Sequence, residues 1–115
     1  MSLSTRFVKN VGQRHSNSTW DNDLLVKPLG GVLLGLYGHN KGSDQYVMLF
    51  DSTTAVSDGT SPSIHPIFIS GSDNFFMEVP VRGMRFSNGL YVANSTTNTT
   101  LTIGSADCWF TVVMI

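Results

Sequence analysis

Three histidines, one cysteine and a scatter of carboxylates are the groups with which this chain could do covalent or acid–base chemistry. A nucleophile needs a base and a group that orients the base. His15, His39 and His65 lie far apart, and none has a Cys or Asp motif beside it. A Ser–His–Asp set assembled in space from the many serines ranks behind the binding readings below. Glu78, between Met77 and Val79, is expected to point to solvent. Cys108 sits inside the apolar run Cys108 to Ile115, where a free cysteine acts as a small hydrophobe. A single cysteine excludes an intrachain disulfide and a cysteine-based zinc site. Asp21-Asn22-Asp23 and Asp51-Ser52 offer the oxygens that calcium prefers, but their spacing fits no calcium loop, and turn capping is the reading. Gly30-Gly31 lacks the lysine and helix of a phosphate loop. The sequence therefore predicts a non-enzymatic chain with no catalytic residues, no metal and no cofactor.

Binding chemistry is better represented. Trp20, Tyr37, Tyr46, Tyr91 and Trp109 are possible stacking platforms for a saccharide, although Trp109, in the closing apolar run, is expected in the core. Arg82 and Arg85 flank Phe86, and Arg6 precedes Phe7. A surface for single-stranded nucleic acid needs more positive charge than a net −1 provides, so no nucleic-acid partner is expected. The charge is uneven, however. Residues 1–20 hold Arg6, Lys9 and Arg14 and no acid, while all eight acidic groups lie beyond them. A basic arm on a mildly acidic body suggests docking on a neighbouring subunit. Arg6, Phe7, Lys9, Arg14 and Trp20 are the expected partner-binding residues, with Trp20 partly buried where arm meets body.

The elements that must position these groups are strands. At 115 residues the chain is one domain with enough buried surface for a single core. Only 13% of its residues are charged, so Ser, Thr, Asn and Gly must cover much of the surface. Strands are read at Leu24–Lys27, Val32–Tyr37, Gln45–Phe50, Ile64–Ser70, Phe75–Val81, Met84–Ser87, Leu90–Ala93 and Thr99–Ile103, with a closing strand from Cys108. His39 to Asp44 reads as a polar loop, and Gly35 as a bulge or a close backbone approach. Asn88-Gly89 is the strongest hairpin signal, because both residues tolerate positive φ; a β-branched residue at Gly89 should then cost folding. Leu49 to Thr54 and Val92 to Thr97 repeat one pattern, an apolar strand end, Asp or Asn, then Ser-Thr-Thr. An Asx side chain closing a turn on the backbone two residues on would account for both. Sequons at Asn17, Asn94 and Asn98 carry no weight in a chain this rich in Asn, Ser and Thr. The predicted architecture is an all-β antiparallel sandwich or barrel of about nine short strands, with an extended arm over residues 1–22 and one domain over 23–115. The polar N-terminus does not read as a secretory leader, and no apolar run approaches the roughly 18 residues of a membrane span. No membrane partner is expected.

The run Phe86 to Ile115 resembles the ends of small virion-associated proteins of tailed bacteriophages. Asn88, Gly89, Leu90, Val92, Ser95, Thr96, Thr97, Gly104 and Asp107 match that pattern, and Tyr46 to Ala55 looks similar to an earlier strand of those proteins. The resemblance covers about half the chain and rests on strands and turns. It implies a structural protein of a virion, made in the host cytoplasm: a capsid cement or decoration protein bound to the major capsid protein, as a homo-oligomer for which a trimer is a reasonable form. The alternatives are a neck, connector or tail component and, from another class, a carbohydrate- or receptor-binding module.

Overall fold

A computed structural model describes residues 13–27, 30–79 and 83–115 and shows nine strands in two antiparallel sheets, with no helix among these residues. The strands are β1 (Gln13–Ser16), β2 (Asp23–Lys27), β3 (Gly31–Asn40), β4 (Gln45–Phe50), β5 (Ile67–Ile69), β6 (Asp73–Glu78), β7 (Met84–Phe86), β8 (Leu90–Ser95) and β9 (Cys108–Met114). Sheet A runs β1-β9-β3-β6, with β7 also pairing β3; sheet B runs β2-β8-β4-β5. The chain is an all-β sandwich.

Alternation along each strand decides what lies between the sheets. On β9, Cys108, Phe110, Val112 and Met114 are buried, and Trp109, Thr111 and Val113 take the opposite face. Leu33 and Leu36 on β3 are both buried although three residues apart. A register shift between Leu33 and Gly35 explains this: it adds a residue and restores the inward phase, as expected of a bulge near Gly35. Sheet B supplies Val26, Val47, Leu49, Ile69, Leu90 and Val92 from its inner side.

The outer side of sheet B is covered as well. Met48, Phe50, Tyr91, Ala93 and Leu101 form a second buried cluster, with Val56 against it. The two long Ser/Thr loops make this lid and are bonded to each other. Gly59 N–H donates to Leu101 O at 2.8 Å, Leu101 N–H to Thr60 O at 2.9 Å, and Ile103 N–H to Asp58 Oδ1 at 3.0 Å. The predicted strand Thr99–Ile103 is part of this lid and not a strand; it keeps a single bridge, Ser95 with Ile103.

The structure corrects the sequence reading at three further places. Asn88-Gly89 is not a hairpin turn. β7 belongs to sheet A and β8 to sheet B, so the segment crosses between sheets. Neither residue has positive φ. Asp51 holds the crossing instead: its carboxylate accepts from the N–H groups of Ser87 (3.2 Å), Asn88 (2.9 Å) and Gly89 (3.3 Å). A β-branched residue at Gly89 therefore meets no left-handed backbone. Next, β3 continues through His39 and Asn40, which the sequence reading gave to a loop. Finally, the repeated Asx-Ser-Thr-Thr pattern is two copies of one turn, but the serine closes it. Ser52 Oγ donates to Thr54 O at 2.7 Å and accepts from Thr54 N–H. Ser95 does the same with Thr97. Asp51 and Asn94 are thereby left for long-range bonds.

Candidate functional site

The outer side of sheet A has no such cover among the described residues, and its strands set the candidate site in cross-strand rows. One row is Ser16, Thr111, Tyr37 and Phe76; the next is Trp109, His39 and Asn74. Phe76 is 70% exposed and Tyr37 38%. Trp20 lies over the second row. Its ring meets Trp109 edge-on at 5.5 Å and His39 at 5.8 Å, and Lys41 Nζ sits 5.0 Å from its centroid. Trp20, Tyr37, His39, Asn74, Phe76, Trp109 and Thr111 line an open groove of about 800 Å³.

Trp20 reaches this place because of Asn17. β1 pairs with β9 as far as Ser16, and the chain rejoins β9 only at Asp21, which bridges Cys108. Between them the Asn17 side chain stands in for a strand. Its Nδ2 donates to Cys108 O at 3.1 Å and its Oδ1 accepts from Phe110 N–H at 2.8 Å. The backbone groups of β9 stay satisfied while residues 18–20 leave the sheet plane. The rest of the site is pinned in the same economical way. Trp109 Nε1 donates to Ser16 Oγ at 3.0 Å, and Thr111 bonds the same hydroxyl at 3.2 Å. His39 Nδ1 donates to Asn74 Oδ1 at 2.7 Å, which holds the imidazole ring against β6. At Gly38, between Tyr37 and His39, a side chain would run into Trp109 O and the Phe75 ring.

The groove offers apolar area and a few hydrogen-bonding groups. Among the described residues its lining of Trp20, Tyr37, His39, Asn74, Phe76, Trp109 and Thr111 contains no carboxylate, and Lys41 lies above Trp20 as a nearby cation. In size and character it falls in the range of sites that hold small ligands or anchor a partner's side chains.

Of the residues predicted to bind a partner, Trp20 is in the groove and Arg14 is exposed on β1, while Arg6, Phe7 and Lys9 lie outside the described residues. Two predictions about aromatics are corrected. Trp109 is not in the core, because its phase on β9 turns it outward. Tyr91 is no stacking platform: it lies beneath the loops on sheet B, and its hydroxyl donates to Asp23 Oδ2 at 2.7 Å. Burial, with the Asp23 bond and charge, raises the Tyr91 pKa above its ordinary value. Tyr46 packs edge-on against Phe68 at 5.7 Å on the other sheet. The sequence reading missed His39, Asn74 and Phe76, because β3 and β6 bring them together only once their register is known.

The other chemistry-bearing groups do not join the groove. His65 is exposed, with Nδ1 donating to Pro66 O at 2.7 Å. Cys108 is buried, and burial with the nearby Asp107 charge pushes its pKa up to about 12. It borders a polar strip inside the sandwich: Gln45 Nε2 donates to Asn40 Oδ1 at 2.8 Å, and Asn94 Nδ2 donates to Gln45 Oε1 at 2.6 Å. Among the described residues no three or more His, Cys, Asp or Glu side chains are placed to hold a metal ion, and no helix is long and apolar enough to cross a membrane. Comparison with protein-family models, curated proteins and solved structures found no match.

Proposed function

We propose that this chain is a non-enzymatic structural component of a tailed-phage virion, a capsid cement or decoration protein that binds the major capsid protein. The observation that carries the docking role is the outer face of sheet A. Among the described residues two loops cover the outer face of sheet B, while Trp20, Tyr37 and Phe76 stay exposed on that of sheet A. Aromatic anchors of this kind dominate the energetics of protein interfaces. The virion setting rests on the resemblance of Tyr46 to Ala55 and Phe86 to Ile115 to virion-associated proteins. In this reading the protein sits on the capsid surface, and the basic arm with Arg6, Phe7, Lys9 and Arg14 adds contacts to the shell or to a sister copy.

The test is copy number in purified particles together with one variant. A shell protein is present in hundreds of copies, whereas a neck or tail component follows a ring symmetry of about six or twelve. Phe76→Ser should abolish occupancy on shells while changing stability by less than about 0.5 kcal/mol, as is usual for exposed positions. Full occupancy by that variant would remove the face from the proposal.

A second reading is a carbohydrate- or receptor-binding module. It is favoured by the meeting of Trp20, Tyr37 and Trp109 with His39 and Asn74 in one groove. Glycan binding by the isolated protein that is lost in Trp20→Ala would select it.

A further inference from the structure

Both edges of sheet A are open among the described strands: β1 on one side and β6 on the other. An exposed strand edge is a template for pairing unless it is short, bulged or guarded by charge. The edges of sheet B are guarded. β5 has three residues, and β2 carries a register shift between Leu25 and Lys27. β6 is six residues long and β1 four, and each pairs with its neighbour without a shift.

We propose that copies of this chain join through sheet A, with β1 of one copy adding antiparallel beside β6 of the next. Three observations carry this. The first is strand direction. The path β1-β9-β3-β6 has four strands, each antiparallel to its neighbour. A second copy in the same orientation therefore presents its β1 antiparallel to the first copy's β6, which an odd number of strands would not allow.

The second is charge in register. Arg14 lies opposite Val113, Val113 opposite Gly35, and Gly35 opposite Glu78. Arg14 and Glu78 thus end the same row on the same outer face, one basic and one acidic, with neutral residues between. Extending the sheet without stagger sets Glu78 of one copy beside Arg14 of the next, and Phe76 beside Ser16. Opposite charges facing each other across strands stabilise a pairing.

The third is the penalty on the competing arrangement. Two β6 strands pairing about the Phe75–Phe76 midpoint would set Asp73 against Glu78 at both ends. Like charges directly opposite destabilise a pair. The contact is thus head-to-tail, and repeated head-to-tail contacts close into a ring or run on as a filament. A ring would join the aromatic faces into one continuous surface. The contact needs no capsid, so it stands apart from the shell-binding reading.

The experiment is sedimentation of the full-length protein, alone, over a range of concentrations. The wild type should associate beyond the monomer. Arg14→Glu and Glu78→Arg should each weaken association by roughly tenfold, as expected when a cross-strand attraction becomes a repulsion. The double variant Arg14→Glu/Glu78→Arg should recover it. An independent measurement keeps the idea open to refutation if a charge variant folds poorly. In Arg14→Cys/Glu78→Cys, oxidation should give a ladder of covalent oligomers, because facing cross-strand positions lie within disulfide reach. Cys108 is buried and does not compete. A wild type that stays monomeric, association indifferent to both single reversals, or a double-cysteine protein that never links beyond dimers would each overturn the proposal. None of these outcomes bears on whether the protein occupies shells, which is read on particles.

Discussion

The two outer faces of the sandwich begin alike and end differently. Both are the outward phase of alternating strands rich in aromatics: Tyr46, Met48, Phe50 and Tyr91 on sheet B, and Tyr37, Phe76 and Trp109 on sheet A. On sheet B the loops 51–63 and 96–107 fold back and bury most of that surface, leaving Phe68 and Leu25 exposed toward the edges. On sheet A, among the described residues, only 18–20 return, and they bring another aromatic ring. Hydrophobic burial therefore predicts that the same kind of side chain is structural on one face and available on the other. Position in the chain, not residue type, separates core from site.

The largest break in this comparison should come from the lid of sheet B. Leu101 is 1% exposed. Leu101→Ala should cost about 2–5 kcal/mol in denaturant unfolding, the usual range for a buried leucine. A loss near zero would mean that the loops rest on sheet B without holding it.

A smaller effect is expected where the lone aromatic lid of sheet A is tethered. Asn17→Ala leaves Phe110 N–H without its acceptor, while Cys108 O keeps the Asp21 N–H, at a cost of about 1–3 kcal/mol. Trp20 fluorescence should shift toward that of a solvated indole. Unchanged emission would show that the Trp20 contacts with Trp109 and His39 hold the segment unaided.

The smallest effect should be pH-dependent and arise where a loop of the sheet B lid meets the crossing between sheets. The Asn88 N–H, with those of Gly89 and Ser87, holds the Asp51 carboxyl below its ordinary 3.8 against a partial desolvation that raises it. A depressed folded-state pKa adds stability above the unfolded value, and this is lost as pH falls through the folded value. Asp51→Asn should therefore be less stable than wild type at neutral pH, and the gap should close below about pH 4. Parallel stability curves down to pH 2 would show that the charge contributes nothing.

How much of this was legible in the sequence depended on how local the cause was. The closing strand and β4 were readable because alternation is written in adjacent residues, and so was the bulge near Gly35. Asn88-Gly89 misled because its local signal suits a hairpin, whereas the acceptor that fixes the crossing, Asp51, is 37 residues away. The repeated Asx-Ser-Thr-Thr pattern was recognised as a turn, but the role within it went to the wrong residue, since the pull of distant partners on Asp51 and Asn94 is not in the pattern. Trp20 is expected partly buried where arm meets body; it is exposed, and lies over Trp109 and His39 on the outer face of sheet A. Its companions His39, Asn74 and Phe76 were invisible until strand register brought β3 beside β6. Asn17 looked like a chance sequon; that its amide replaces a backbone strand follows only from the gap between Ser16 and Asp21 along β9.

That replacement has a consequence for how the surface can change over generations. With Asn17 closing the ladder on one side and Asp21 on the other, the three residues between them carry no obligation to sheet register. Ser18, Thr19 and Trp20 can be exchanged, lengthened or shortened while the body keeps its hydrogen bonds. The groove thus has a side wall that can be rewritten independently of the architecture, so its shape can be retuned at a single short segment.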